Sequence, residues 1–312
     1  MSSPEDKNTR DLEIGVPDDP RPALLAQDMK LLTAELQRAD FSAFRAKQIF
    51  HWLYQHGATS VEQMKNIPRD LRNWLATFYR LGGGRIIDRR VSADGSVKYL
   101  VELFDGNRVE SVLMQDEDRR SLCVSTQVGC SLACRFCLTG KGGFVRNCTS
   151  DEILGQYLAA RRELASGERP ITHIVVMGMG EPMLNIDEVI EALRRLIDPQ
   201  AIGLSPRRIT VSTAGVIEGI RKLGESGLNV KLAISLNATT DDQRSQLMPV
   251  NRRHNIADLL QACRDYPLTR RQRITFEYVM IDGFNDSPED ARRLAKLLRG
   301  IPCKVNLIPF NP

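Results

Sequence analysis

Three cysteines stand within eight residues of this sequence, in the stretch GCSLACRFCLTG that holds Cys130, Cys134 and Cys137. Thiols at this C-x3-C-x2-C spacing can share one metal centre, or they can be halves of disulfides. A structural zinc ion usually takes four protein ligands as two separated pairs, and the sequence holds no second pair. A [4Fe–4S] cluster normally takes four cysteines, so three would leave one iron open for another ligand. The spacing therefore favours an iron–sulfur cluster over zinc, with Phe136 as an apolar neighbour that shields it.

The other cysteines and the composition argue against a disulfide framework. The chain has seven cysteines, an odd number, and four of them fall between Cys123 and Cys137. The N-terminal stretch MSSPEDKNTRDLEIGVPDDPRP is charged and lacks the apolar core of a secretory signal. No apolar run reaches the roughly eighteen residues of a membrane span. We therefore predict a reduced, cytoplasmic protein without a membrane partner, whose net charge of +4 leans mildly towards polyanions.

Four segments follow one another along the chain. Residues 1–20, rich in Asp, Pro and Ser, are predicted to be disordered, and residues 21–83 to form a helical domain. That domain carries one apolar stripe at helical spacing, formed by Ala46, Ile49, Phe50 and Leu53. Residues 84–115 have the pattern of a β-meander of about three strands joined by the Asp-Gly turns ADGS and FDGN. Residues 116–312 alternate six strands with five helices, which predicts an α/β fold of parallel βα units, as an open sheet or a barrel-like arc.

The unusual residues of this last segment follow its strands at their carboxyl ends. The cysteine loop comes after the first strand, and the other clusters are GMGEP (178–182), STAG (212–215), SLNA (235–238) and NP (311–312). A serine or asparagine at one strand end is most often only a turn former. In parallel βα architectures, however, this edge is where active sites form, so five clusters along it indicate one site.

These motifs resemble those of the radical S-adenosylmethionine (SAM) superfamily, whose cysteine loop shows the same C-x3-C-x-Φ-C pattern. From about Arg21 onward the chain is similar to the RlmN-type adenine C2 methyltransferases of RNA. The similar stretches are CVSTQVGCSLACRFCLTGKGGFVRN, VVMGMGEPMLN, ITVSTAG, LAISLNA and VNLIPFNP. The resemblance implies a partial (β/α)6 radical SAM barrel, preceded by the helical domain and the β-meander. It also implies two cofactors, a [4Fe–4S] cluster and SAM.

The resemblance assigns roles to residues at the predicted active edge. Cys130, Cys134 and Cys137 would ligate the cluster, whose open iron is chelated by the amino and carboxylate groups of SAM. A second set would bind SAM: Gly180, Glu181, Ser212, Ser235, Leu236, Asn237 and Asn311. In this set a glycine lets the backbone approach the ligand, and the Glu181 carboxylate can accept a hydrogen bond from the methionine ammonium.

The implied reaction is a radical methylation, because C2 of adenine is electron-poor and is not a nucleophile. One SAM methylates a carrier cysteine, and a second is cleaved to a 5′-deoxyadenosyl radical that takes hydrogen from the S-methyl group. The resulting carbon radical adds to C2. Loss of the C2 proton and closure of a disulfide then release the methylated RNA. By resemblance, Cys123 is the resolving cysteine and Glu110 the proton acceptor; the residues by themselves indicate only a buried strand cysteine and a polar strand position.

The family's carrier cysteine lies in a tail that would follow Pro312, and Cys148, Cys263 and Cys303 do not match its position. We therefore expect the chain as written, a fragment or a short paralogue, to cleave SAM without methylating RNA. Detection of methyladenosine made by these 312 residues would refute that expectation.

The implied substrates are an adenosine in the peptidyl-transferase centre of 23S rRNA and the adenosine 3′ of the anticodon in tRNA. A reducing electron donor such as flavodoxin would act on a monomeric enzyme. Cations that could contact RNA phosphates are Lys47, Lys65, Arg69, Arg72, Arg85, Arg89, Arg90 and Lys98. Two alternatives remain open: a sister branch that methylates C8 of the rRNA adenosine and confers antibiotic resistance, and a non-catalytic RNA-binding protein stabilised by zinc.

Overall fold

The computed structural model describes residues 19–116, 119–165 and 167–311. The segment predicted to be disordered, residues 1–20, lies outside the described residues except for its last two positions. The strands are β1 (Arg85–Val91), β2 (Val97–Glu102), β3 (Arg108–Gln115), β4 (Arg120–Cys123), β5 (Gln127–Gly129), β6 (Phe144–Asn147), β7 (His173–Val176), β8 (Ile209–Thr213), β9 (Lys231–Ser235), β10 (Ile274–Met280) and β11 (Cys303–Pro309). The helices are α1 (Met29–Arg38), α2 (Phe44–Phe50), α3 (Arg69–Phe78), α4 (Leu138–Lys141), α5 (Ser150–Arg162), α6 (Ile186–Ile197), α7 (Ile217–Glu225), α8 (Asp241–Leu247), α9 (Ile256–Asp265) and α10 (Pro288–Leu297).

One sheet of nine strands runs through the described chain in the order β1-β2-β3-β4-β7-β8-β9-β10-β11. Its first four strands pair antiparallel, and β4 to β11 pair parallel. The six parallel strands, with helices between them, confirm the α/β fold and the partial (β/α)6 barrel. The meander is part of the same sheet, because β3 pairs with β4 in a register that places Val112 opposite Cys123. The domain boundaries at residues 83/84 and 115/116 therefore stay a prediction.

The core lies between the parallel strands and the helices that cover them. Strand side chains such as Val211, Ile234 and Phe276 are fully buried, as expected for strands that are covered on both faces. On the helix side, α6 buries Val189 and Leu193, and most of its charged residues face solvent. Arg195 is the buried exception on this helix and donates to the Gln27 carbonyl at 3.2 Å. Because burial of each apolar side chain contributes roughly 1.5–3 kcal/mol, this layer keeps the strand ends in place.

The helical domain packs against the barrel through α5. The predicted apolar stripe is confirmed, because its four residues are all buried. The buried Tyr54 hydroxyl donates to the Leu25 carbonyl at 2.7 Å. Arg80 and Asp151 form an ion pair at 2.9 Å, in which the carboxylate lies at the start of α5. The described residues contain no helix that is both long and apolar enough to traverse a bilayer.

Four short elements of the barrel are not among the predicted ones. Strands β5 and β6 form a separate antiparallel hairpin around the cysteine loop, and α4 begins directly after Cys137. The connection from β9 to β10 holds two helices, α8 and α9, where the sequence predicts one. These elements span only three to seven residues, too few for a hydrophobic period to show.

An ion cluster attaches the meander to the barrel at the turn between β2 and β3. Arg146 on β6 donates to Asp105 at 2.6 Å and to both oxygens of the buried Glu152 at 2.7 and 2.8 Å. Burial by itself would raise the pKa of Asp105, but Arg146 and the hydrogen bonds from Asn107 outweigh it and lower the pKa to about 2. The ionised carboxylate is therefore favoured in the folded protein, which makes this contact pH-dependent.

Replacing Asp105 with asparagine is expected to lower the free energy of unfolding by about 2 kcal/mol at neutral pH. The folded pKa lies below the ordinary value of 3.8, so the contribution is present above about pH 4 and is lost as the pH falls towards 2. Urea unfolding of parent and variant at several pH values measures this. Asp94→Asn is the matched control, because Asp94 holds the equivalent turn through Ser96 and is exposed. Equal effects of the two substitutions would contradict the prediction.

Candidate active site

The cysteine loop and the carboxyl ends of β7 to β11 surround one cavity of about 420 Å³. That volume lies in the range of cavities that enclose a ligand of a few tens of atoms. Eight of the predicted site residues line it: Cys130, Cys134, Cys137, Gly180, Glu181, Ser212, Ser235 and Asn237. The fold thus brings together most of what the strand-end motifs predict, as parallel strands should.

The cysteine loop is held by backbone hydrogen bonds at both ends. The Cys130 N–H donates to the Gly143 carbonyl at 2.7 Å, within the turn region of the β5–β6 hairpin. The Arg135 N–H donates to the Leu247 carbonyl at the end of α8, at 2.9 Å. Between these points Ala133 has φ 50°, a left-handed conformation that a residue with a Cβ adopts only at a cost in free energy. The surrounding contacts therefore impose the shape of the loop.

The three thiols share one electrostatic environment. Burial raises the pKa of Cys134 to about 12, and the charges of Cys130 and Cys137 raise it further in the same direction. Burial likewise raises the pKa of Cys130, a hydrogen bond from the Leu132 backbone opposes this, and the charges of Glu181 and Cys137 act in the same direction as burial. A buried thiol with a raised pKa stays protonated unless a cation beside it stabilises the thiolate. A bound metal is such a cation, and it deprotonates its thiol ligands. The donor set therefore fits a metal cluster.

The spacing of the thiols bears on which centre they fit. Among the described residues, no group of three or more His, Cys, Asp and Glu side chains closes to the geometry of a single bound metal ion. A four-iron cluster offers a separate iron to each cysteine, so its ligands stand farther apart than those of one ion. The three thiols line a common cavity, so each could bind a different iron of such a cluster.

Glu181 organises the loop after β7 from inside the protein. Its carboxylate is buried and accepts hydrogen bonds from the Met183 N–H at 3.1 Å and the Ala214 N–H at 2.8 Å. Burial raises the pKa of Glu181, while these donors act in the opposite direction. The adjacent Gly180 has φ 98°, and a Cβ there would lie 2.5 Å from the Gln127 side chain. Only glycine fits, and the role of both residues towards SAM stays a prediction.

Asn237 joins the ends of β9 and β10. Its Oδ1 accepts from the Val279 N–H at 2.9 Å, and its carbonyl accepts from the Asn285 side chain at 2.7 Å. Its φ of 57° is left-handed, a conformation that asparagine tolerates better than most residues. The side-chain oxygen of Asn237 is therefore already hydrogen-bonded within the protein. Only a small part of the residue borders the cavity, since it is 1% exposed.

Arg244 on α8 connects the strand ends from below the cavity. The side chain is fully buried, and it donates to the carbonyls of Ala214, Ser235 and Leu236 and to Asn251 Oδ1. Burial lowers the pKa of Arg244 to about 10, so the guanidinium remains charged at neutral pH. A single cation therefore fixes the loops after β8 and β9 relative to each other.

Two predicted SAM contacts do not line the cavity. Leu236 is fully buried, and its N–H donates to the Glu277 carbonyl at 3.0 Å. Asn311 is exposed beyond the end of β11. Their proposed roles rest on the resemblance, because the strand-end pattern indicates only that they lie at the correct edge.

Cys123 and Glu110 lie beside the cavity without lining it. Cys123 ends β4, and burial raises the pKa of its thiol to about 11 even though the Met177 N–H donates to it. Glu110 on β3 forms an ion pair with Lys98 at 3.0 Å. Its carbonyl accepts from the Ser125 hydroxyl at 2.6 Å, which in turn accepts from the backbone of the loop after β7. All seven cysteines are free thiols.

The cations predicted to contact RNA differ in their ion pairing with carboxylates and in their exposure to solvent. The four of the meander lie near carboxylates, in the pairs Arg85–Glu102 at 2.7 Å, Arg89–Glu163 at 3.7 Å, Arg90–Asp88 at 3.7 Å and Lys98–Glu110 at 3.0 Å. In the helical domain Lys47, Lys65 and Arg69 are exposed, and Arg72 is half-buried against the Glu62 carbonyl. The helical domain therefore offers the more available charges.

Several site residues escape the sequence analysis. Arg244 stands among four arginines between residues 244 and 264, and nothing in the sequence marks it as the buried one. Glu277 on β10 lines the cavity and accepts from the Asn306 side chain at 2.6 Å. Its position in an alternating strand is the one available signal, because the inward face of β10 can be read from the period of two.

Two family models match the chain. The model described as "Radical SAM superfamily" matches residues 124–295, which span β5 to most of α10. The model described as "Ribosomal RNA large subunit methyltransferase N-terminal domain" matches residues 23–81, the helical domain.

Relatives and a solved structure agree with these matches. A "Dual-specificity RNA methyltransferase RlmN" of Anaeromyxobacter dehalogenans (strain 2CP-C) is 51% identical over 273 residues, which cover 86% of this chain and 73% of that protein. The protein of the same name from Pelobacter propionicus (strain DSM 2379 / NBRC 103807 / OttBd1) is 50% identical over 268 residues, 86% of this chain and 76% of that protein. The crystal structure of a radical SAM methyltransferase from Sphaerobacter thermophilus superposes with a TM-score of 0.89 at 43% identity, over 93% of this chain and 86% of that one.

Proposed function

Because this chain belongs to the radical SAM superfamily, and within it to the RlmN-type RNA methyltransferases, we propose that it provides the SAM-cleaving core of an activity that methylates C2 of adenosine in 23S rRNA and in tRNA. The observation that carries the proposal is the common cavity, where the three cysteines face the strand ends of β7 to β11. The superfamily uses a [4Fe–4S] cluster and SAM. The cavity offers three thiols to the cluster, and it offers polar side chains at the strand ends to SAM.

The chain's own residues account for what the chemistry requires around the cofactors. When bound and reduced, the cluster supplies the electron that cleaves SAM to a carbon radical, which an electron-poor carbon such as adenine C2 needs. Apolar side chains of the cavity wall exclude water from such a species: Leu132, Phe136, Met177, Val279 and Ile308. Ser212 and Ser235, half-buried at neighbouring strand ends, offer hydroxyls to the polar groups of SAM.

The methyl transfer would run through a methylated cysteine, with Cys123 closing the disulfide that releases the RNA. Its position supports this role, because the Met177 N–H contacts the thiol and Met177 itself lines the cavity. A thiol with a raised pKa is protonated at neutral pH, so Cys123 stays unreactive until substrate binding changes its surroundings. Glu110 would take the C2 proton after its ion pair with Lys98 opens.

The test supplies the iron-reconstituted chain with SAM, a chemical reductant, and tRNA or a 23S rRNA fragment, each with a control in which the target adenosine is guanosine. The expected result is formation of 5′-deoxyadenosine and methionine. Chromatography and mass spectrometry measure both products. No cleavage of SAM would overturn the radical assignment. The position of methylation is tested with the chain fused to a relative's tail that holds the carrier cysteine. In nucleoside digests from that protein, 2-methyladenosine supports the proposed position, and 8-methyladenosine would move the chain to the sister activity.

A further inference from the structure

Cations crowd the amino-terminal edge of the parallel strands, opposite the cavity. Six exposed ones line a cleft of about 670 Å³: Arg207, Lys231, Arg270, Arg271, Arg273 and Lys304. They lie at or just before the starts of four neighbouring strands, β8, β9, β10 and β11. Because neighbouring strands are about 4.8 Å apart, the row of charges is about 14 Å long.

These charges are not neutralised within the described residues. None of the six forms an ion pair with a carboxylate there, in contrast to the four cations of the meander. Burial lowers the pKa of Lys231, and the positive charges of Lys304 and Arg119 lower it further. The nearby His173 has a pKa lowered by burial and then by Arg119, among other cations. Like charges thus oppose one another along this edge.

The loop that carries three of the arginines is held in place. Gln272 accepts from the Thr269 N–H at 2.9 Å, and its amide donates to the Asn229 carbonyl before β9 at 2.8 Å. Arg271 itself has φ 72°, where glycine or asparagine is usual. The protein therefore keeps these repelling charges together at a cost in free energy, which a bound polyanion would offset.

We propose that this cleft is a second RNA-binding surface, which contacts backbone phosphates of the substrate far from the target nucleotide. The inference rests on the proposed function, in which the substrate is RNA. One guanidinium group can donate two hydrogen bonds to one phosphate. A row of such groups can bind successive phosphates of a backbone whatever the base sequence. The side chains that line the cleft are all polar, whereas the centre of a protein–protein interface is usually apolar or aromatic.

The distance between the cleft and the cavity determines how large an RNA must be to contact both. Strands β8 to β11 have five to seven residues, so about 17 to 23 Å separates the cleft from the cavity. The path around the protein surface is longer than this straight-line separation, so we expect that a short stem-loop whose adenosine enters the cavity does not reach the cleft. A folded RNA of the size of tRNA does, so the cleft would favour large substrates over small ones.

The test compares two triple variants of the full chain that change the charge equally. Arg207→Gln/Arg271→Gln/Lys304→Gln alters the cleft, and Arg221→Gln/Arg264→Gln/Lys296→Gln alters exposed cations on the outer helices. Fluorescence anisotropy measures binding of a tRNA and of its isolated anticodon stem-loop between 50 and 300 mM salt. We expect the cleft variant to bind tRNA about tenfold or more weakly, with a salt slope smaller by about 2, and to bind the stem-loop like the parent.

Each other outcome is informative. Parent-like tRNA affinity and salt slope in the cleft variant would overturn the inference, as would an equal loss in both triple variants. Normal RNA binding with lost binding of an acidic flavodoxin would assign the cleft to a protein partner and equally overturn it. A parent that binds neither RNA contradicts the proposed function instead. Unchanged thermal unfolding and SAM cleavage in the cleft variant show that the fold and the cavity are intact.

Discussion

Replacing Cys134 with alanine is expected to abolish the iron–sulfur cluster and to reduce SAM cleavage below about one hundredth of the parent rate. Cys134 is the middle cysteine of the loop, and its thiol faces the cavity together with those of Cys130 and Cys137. Two remaining thiols cannot hold a four-iron cluster that already has one iron without a protein ligand. Iron content, visible absorbance after anaerobic reconstitution and 5′-deoxyadenosine formation measure the result.

Cys303→Ala is the matched control for that experiment. Cys303 is also a half-buried free thiol, but it is the first residue of β11. It therefore lies at the amino-terminal ends of the parallel strands, away from the cavity at their carboxyl ends. Its variant should assemble the cluster and cleave SAM like the parent. A Cys134→Ala protein with full cluster absorbance and parent-like cleavage would refute the ligand assignment, and zinc in place of iron in the parent would revive the RNA-binding alternative.

Replacing Arg244 with methionine is expected to destabilise the protein by about 3–5 kcal/mol and to weaken SAM binding by about tenfold or more. The fully buried guanidinium satisfies carbonyls at the ends of β8 and β9, and methionine leaves them buried without donors. The midpoint of thermal unfolding should fall by about 10 °C. Calorimetric titration with SAM, well below that midpoint, measures the loss that a purely global effect would not produce.

Two further variants separate the geometry of Arg244 from its charge. Arg244→Lys keeps a cation but offers no planar fork, so we expect it to recover only part of the stability and little of the SAM affinity. Arg253→Met removes an exposed arginine of the same region, 3.7 Å from Glu218, and should change neither quantity. SAM affinity equal to that of the parent in Arg244→Met would show that the loops after β8 and β9 keep their positions without it.

Some features follow from local sequence alone. The three clustered cysteines, the strand-end motifs and the alternation of strands with helices are periodic or closely spaced. They therefore predict parallel βα units, as an open sheet or a barrel-like arc, with one site at the carboxyl edge, where eight of the predicted residues line the cavity. The partial barrel itself is implied by the family resemblance. The apolar stripe of the helical domain and the two Asp-Gly turns are equally local, and the structure contains both. The short β5–β6 hairpin and α8 fall below the length at which a period can be recognised.

Other features arise only when distant segments meet. The sequence by itself determined which residues stand at each strand end, because a period of two or 3.6 depends only on near neighbours. Only the tertiary structure decided that Arg244 is the buried one of the four arginines between residues 244 and 264. It also decided that the Glu181 carboxylate accepts hydrogen bonds from the Ala214 and Met183 N–H groups. It likewise decided that the meander cations form ion pairs with carboxylates, while the six cations of the cleft form none within the part of the chain that the structure describes. Burial, pairing and net local charge are properties of contacts between residues far apart in the chain, and a local pattern carries no information about them.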